Sequence, residues 1–201
     1  MLPLKDNVPT RTFPIVTVGL ICANAAVWAW ELHEHWQRAV IRDAFYPCSV
    51  SGPCVGVAAQ HHLPWYEGMF TAMFMHGGWA HILGNMLFLW IFGNNVEDAL
   101  GHVRFFFWYL AAGVAATALQ TFVTLSFAGP VAASVPNVGA SGAIAGVLGA
   151  YFVLLPTASV LTLFMFLPIE VPAVLFLGFW FFYQWLLGDL SLLEPTQGGG
   201  V

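Results

Sequence analysis

The chain has 201 residues, of which 59% are apolar and only 7% charged, with 18 Phe and 9 Trp. An ordinary soluble domain is roughly a quarter charged, and a disordered chain is poor in apolar residues, so both classes are excluded. A net charge of −5, with Lys5, Arg11, Arg38, Arg42 and Arg104 scattered along the chain, excludes a nucleic-acid partner. At about 20 residues per crossing, the length allows one all-α membrane domain of five or six helices.

Charge is costly in hydrocarbon, so charge-free intervals mark candidate spans. Residues 1–11 carry Lys5 and Arg11 ahead of the first interval, 12–30, which the positive-inside rule reads as a cytoplasmic N-terminus in a multi-pass protein of the cell membrane. Residues 31–67 are charged and bear His and Pro, as expected of an outer loop. Cys48 and Cys54 in that loop either close a small disulfide in an oxidising compartment or remain free thiols. Cys22, inside the first span, is expected to be a packing residue. The second span, 77–96, ends at Glu97, Asp98, His102 and Arg104. From Phe105 to Ile169 no charge occurs, and Gly129, Pro130, Ser134, Pro136 and Asn137 divide this stretch into a third span, 105–125, and a fourth, 139–155, stopped by Pro156. The fifth is 168–187, and parity places the tail, 188–201, outside.

Polar groups at membrane depth are functional candidates, because lipid-facing Leu or Phe avoids their cost. His81 and Asn85 are four apart and share one helical face, with His76 on the outer approach. Ser141, in Gly139-Ala-Ser-Gly, falls in the first turn of the fourth helix, where free N–H groups and the helix dipole stabilise an oxyanion. Each has a structural alternative. Gly142-x-x-x-Gly146 fits a helix-packing face, and His81 with Asn85 fits an interhelical hydrogen-bonding pair. Together, a hydroxyl nucleophile and imidazole and amide donors entering from the same side are the parts of an acyl-transfer site.

These motifs resemble the rhomboid intramembrane serine proteases. His76-Gly-Gly-Trp-Ala-His81-Ile-Leu-Gly-Asn85 is similar to the family's second-helix motif, Gly93-x-x-x-Glu97-x-x-x-Gly101 to the turn after it, and Gly139-Ala-Ser141-Gly to its nucleophile motif. The resemblance implies a rhomboid-like membrane helical bundle with five of the usual six transmembrane helices, whose outer loop forms short helices. It implies Ser141 as nucleophile, and His81, Asn85 and the backbone region of Gly139 and Ser141 as oxyanion donors supported by His76. It also implies a substrate that is another protein's transmembrane segment, cut near the outer face of the bilayer without cofactor or metal. The fifth helix, with Trp180, Phe181, Phe182, Tyr183 and Trp185, matches the family's substrate gate, although most of these aromatics are expected to face lipid.

The family's general base, a His within A-H-x-x-G on a sixth helix, has no counterpart among the seven histidines of the chain. His102 is expected on the cytoplasmic side, and His33, His35, His61 and His62 in the outer loop. The chain therefore reads either as a fragment of a six-helix protease, inactive as it stands, or as a non-catalytic relative that binds membrane proteins. The fragment is preferred because Ser141, His81 and Asn85 are all present and the small face of Gly142, Gly146 and Gly149 is expected to lack its partner. Ala145 replaces an aromatic that some members stack on the base. Two rivals remain: a His-based metal transporter drawing on His61, His62, His76 and His81 or on Glu31, His33, Glu34 and His35, although no H-E-x-x-H motif is present, and a passive membrane scaffold indifferent to loss of Ser141.

Overall fold

The structure is a computed structural model and describes residues 2–56 and 63–193, with side chains up to Tyr183. His61, His62 and residues 194–201 lie outside the described residues.

The chain starts with strand β1 (Leu2–Asp6), followed by helix α1 (Ile15–His33), the short helices α2 (Trp36–Asp43) and α3 (Trp65–Thr71), and α4 (Trp79–Phe88). A π-helical turn, Leu89–Gly93, carries α4 without a break into α5 (Asn94–Leu100). Next come α6 (His102–Val123) and α7 (Gly129–Ala133), then α8 (Ser141–Leu154), strands β2 (Ser159–Phe164) and β3 (Leu167–Pro172), and α9 (Ala173–Leu193). Among the described residues α1 and the helical run His102–Ala133 are long and apolar enough to cross a membrane, and α8 and α9 are shorter apolar helices in their described parts.

The element absent from the sequence reading is a three-stranded antiparallel sheet in the order β1-β2-β3. Residues 1–11, read as a plain terminus, supply β1. Residues 168–172, read as the start of the fifth span, are β3, so α9 begins at Ala173. The β-branched and Leu-rich run Ser159-Val-Leu-Thr-Leu-Phe164 alternates in burial, with Val160 and Thr162 fully covered, as a strand lying on a core does.

The core is continuous from α1 to α9. Leu89, Phe92, Val96, Phe105, Tyr109, Val147, Leu148, Tyr151 and Leu177 are all buried in it. Small residues let α6 and α8 close on each other: a Cβ on Gly146 would stand 2.3 Å from Ala112 Cβ, and one on Gly142 would stand 2.7 Å from Ala116 Cβ. This corrects the expectation that the glycine face lacks a partner. Helix α6 is the partner of Gly142 and Gly146, and only Gly149 looks onto open space.

The two ends of the bundle differ in kind. At one end lie the sheet, α5 and the start of α1. At the other, a smaller cluster of Ala39, Val40, Ala44, Tyr46, Cys48, Met75 and Ala133 packs beneath the loop after α1. There Cys48 and Cys54 are bonded, with Cα atoms 5.2 Å apart.

Candidate active site

The site lies at the disulfide end. Residues 136–140 lead into α8, and Phe45 and Asn137 exchange both backbone hydrogen bonds (3.2 and 2.8 Å), tying this approach to the loop after α2. The Gly139 N–H then donates to the Ala72 carbonyl at 2.8 Å, and Gly139 turns the chain with a φ of +123°. Only glycine fits there. Besides the left-handed backbone, a Cβ would stand 2.6 Å from His81 Nε2. The first helical bond of α8 runs from Ile144 N–H to Ala140 C=O at 2.9 Å, so the N–H groups of Ser141, Gly142 and Ala143 have no backbone acceptor. The Ser141 side chain is exposed at this positive helix end.

His81 comes to the same place from α4. Its Nδ1 accepts the Gly77 N–H at 3.4 Å, and a neutral imidazole that accepts at one nitrogen carries its proton on the other. That bond assigns the proton to Nε2, the nitrogen packed against Gly139. Asn85, one turn along α4, is buried, and its side-chain N–H₂ has no acceptor among the described residues. His81, Asn85, Ser141 and Trp180 line one cleft of about 340 Å³, and His81, Gly139 and Ser141 also border a second of about 420 Å³ that reaches Met73 and Gln120. Trp180 packs on Phe88, ring centroids 5.9 Å apart, whereas Phe181, Phe182 and Tyr183 are exposed.

His76 is fully buried, its ring edge-on to that of His81 with centroids 5.2 Å apart, and among the described residues neither of its ring nitrogens has a hydrogen-bond partner. Its backbone N–H donates to both carboxylate oxygens of Glu31, at 3.2 Å each. Glu31 is the residue that sequence reasoning placed wrongly. Read as part of an exposed donor patch at the end of a span, it is instead fully buried in the last turn of α1. A charged residue closing an apolar run looks like a boundary, and only the fold reveals that the turn His76-Gly-Gly sits on it. His33 and Glu34 remain at the surface. Among the described residues no three His, Cys, Asp or Glu side chains converge as metal ligands would. His102 lies at the sheet end, where its Nδ1 is 2.6 Å from Glu97 Oε1.

Fold and composition define a polytopic membrane helical bundle. A family profile described as the Rhomboid domain matches residues 64–194, and the chain belongs to that family. It is 29% identical over 141 residues to the putative rhomboid protease YdcA of Bacillus subtilis (strain 168), covering 70% of this chain and 62% of that one. It is also 30% identical over 176 residues to the mitochondrial Rhomboid protein 1 of Saccharomyces cerevisiae, covering 81% and 44%. With the rhomboid protease GluP of Bacillus subtilis it shares 42% identity over 86 residues, covering 43% and 15%. The chain thus spans less than two thirds of the length of each of these relatives. No solved structure matches it.

Proposed function

We propose that the chain carries the nucleophile and oxyanion side of a rhomboid-type intramembrane serine endopeptidase that cuts transmembrane segments of other membrane proteins. The observation that carries this reading is the His81 tautomer: the Gly77 N–H on Nδ1 leaves Nε2–H to donate, and Nε2 packs on the backbone that presents Ser141. Ser141 Oγ attacks the scissile carbonyl carbon as its proton passes to a base. The carbonyl oxygen becomes an oxyanion and accepts from the Ser141 N–H, His81 Nε2–H and Asn85 Nδ2–H. The C–N bond then breaks, the amine leaves with a proton, and water hydrolyses the acyl-serine. His76 and Glu31 hold the turn that aims His81.

In this reading the disulfide end faces the outside, where an oxidising compartment suits Cys48–Cys54, and the sheet end with the N-terminus faces the cytoplasm of a cell-membrane protein. Among the described residues no basic side chain hydrogen-bonds to Ser141 Oγ. Following the family's pattern, in which a helix bearing the base packs on the nucleophile's helix, we assign the base to a histidine brought against the open Gly149 side of α8. The same observation favours the second reading, a non-catalytic relative that binds membrane proteins.

Fluorophosphonate labelling of the purified chain, with and without added imidazole as an external base, separates the two. The protease reading expects weak labelling that imidazole increases and that Ser141→Ala abolishes. Labelling that ignores both imidazole and Ser141→Ala overturns it, and strong Ser141-dependent labelling without imidazole overturns the need for an outside base.

A further inference from the structure

The β2–β3 hairpin ends in a two-residue turn, Met165-Phe166, closed by the pair Phe164 and Leu167. Both turn residues have positive φ, +45° and +72°. Turns of this kind select Asn-Gly or Asp-Gly, because side chains with a bulky Cβ substituent are strained in the left-handed region. Here the strained positions hold two large apolar residues, and they point away from the protein: Met165 is 78% and Phe166 92% exposed. A turn in water gains nothing from that choice.

Polarity is graded along the hairpin. At its root, Lys5, Leu161 and Glu170 lie side by side across the three strands, next to Asp6, Val160 and Val171. Every row from Thr162 and Ile169 to the tip is free of charge. The covered part is the near half of β2, with Val160 and Thr162 fully buried against the bundle. Strand β2 emerges from cover at Phe164, whereas β3 is exposed along most of its length. The apolar surface of the tip is continued by the exposed Leu2, which pairs with Leu163, and by the exposed Ile169 of β3, and the hairpin as a whole connects the two apolar helices α8 and α9.

We propose that the Phe164–Leu167 tip is an interfacial membrane anchor, inserted at the boundary between headgroups and acyl chains of the leaflet on the sheet side. The occupant of this patch is lipid, because the tip belongs to a chain of a membrane-protein family, lies in sequence between two apolar helices and bears no charge for a polar partner to read. Bulky apolar side chains at a loop tip reach furthest into a leaflet, which gives the strained turn its use.

The test uses the full chain in vesicles of phosphatidylcholine with a minority of phosphatidylglycerol. Phe166→Cys and, separately, Met165→Cys are placed in a Cys22→Ser background and labelled with an environment-sensitive fluorophore. A melting curve matching the unlabelled parent shows that each variant is folded, and either site suffices. The expected result is blue-shifted emission, quenched several-fold more by nitroxide-labelled lipid than by aqueous iodide. Iodide quenching equal to that of the free dye in water overturns the proposal. So does shielding from both quenchers, which would mean that a second copy or another protein covers the tip. None of these readings depends on Ser141, so failure here leaves the protease proposal untouched.

Discussion

A buried carboxylate stands at each end of helix α1, Glu97 from α5 and its own Glu31, and the two are in opposite electrostatic situations. At its N-terminus Glu97 of α5 accepts the Val16 and Thr17 N–H groups at 2.9 and 2.7 Å and the Thr17 hydroxyl at 2.7 Å, with His102 Nδ1 at 2.6 Å. These are free N–H groups at the positive end of the helix dipole, the place where a negative charge is favoured. At the other end Glu31 sits at the carbonyl end of the helix, where the dipole opposes it, and among the described residues receives only the His76 N–H, shared between its two oxygens. Both residues are fully buried. The difference shows what each does. Glu97 is an anchor whose own surroundings account for it, while Glu31 is locally unfavourable and is explained by the turn it holds beside His81.

Substitutions at the two ends of α1 and at His81 differ in their expected effects. Glu97→Ala strands several buried donors at once and is expected to lower stability by about 4 kcal/mol, read from unfolding in mixed detergent micelles. A loss no greater than that of a surface substitution would end the anchor assignment. His81→Ala removes one proposed oxyanion donor and is expected to raise the barrier to imidazole-assisted fluorophosphonate labelling by about 3 kcal/mol, while the melting curve changes little. Glu31→Gln keeps an acceptor for the His76 N–H and sheds an ill-placed charge. Its stability should move by no more than about 1 kcal/mol, with a fall in labelling rate larger than that change explains. Equal effects of Glu31→Gln and Glu97→Gln on stability would erase the distinction.

The smallest effect concerns acid. Burial pushes the Glu97 carboxyl up, but the Thr17 hydroxyl, the Val16 and Thr17 amides and His102 outweigh it and hold it below the ordinary 4.5. A carboxyl depressed in the folded state contributes stability that is complete above its unfolded value and is lost as pH falls through the folded one. Stability should therefore decline below about pH 4.5, with a shallower slope in Glu97→Gln than in the parent. Identical slopes would show that the donors do not bind the charged form preferentially.

The site was more legible in the sequence than the fold around it. His76, His81, Asn85 and Ser141 stand out because polar groups in apolar runs are few, and the structure brings His81, Asn85 and Ser141 to one cleft. The sheet was not legible, since hydropathy counts only the absence of charge, and Ser159–Phe164 is as apolar as a span. What distinguishes it is that its partners, β1 and β3, are supplied from residues 2–6 and 167–172. Likewise the Gly142 and Gly146 face gives no sign of its partner, because Ala112 and Ala116 are ordinary residues for any apolar helix.

Asp6 accepts the Tyr151 hydroxyl at 2.7 Å and a hydrogen bond from the Asn95 side-chain amide, and β1 pairs with β2 as far as Leu163. Residues 2–6 thus find their strand partners only when residues near 163 have been made, on the order of ten seconds later at ordinary rates of synthesis. Until then an unpaired strand edge waits beside helices already entering the bilayer. Assembly of the sheet joins two segments far apart in sequence, so a bulky insertion beside residues 2–6 is expected to burden biogenesis more than the finished protein.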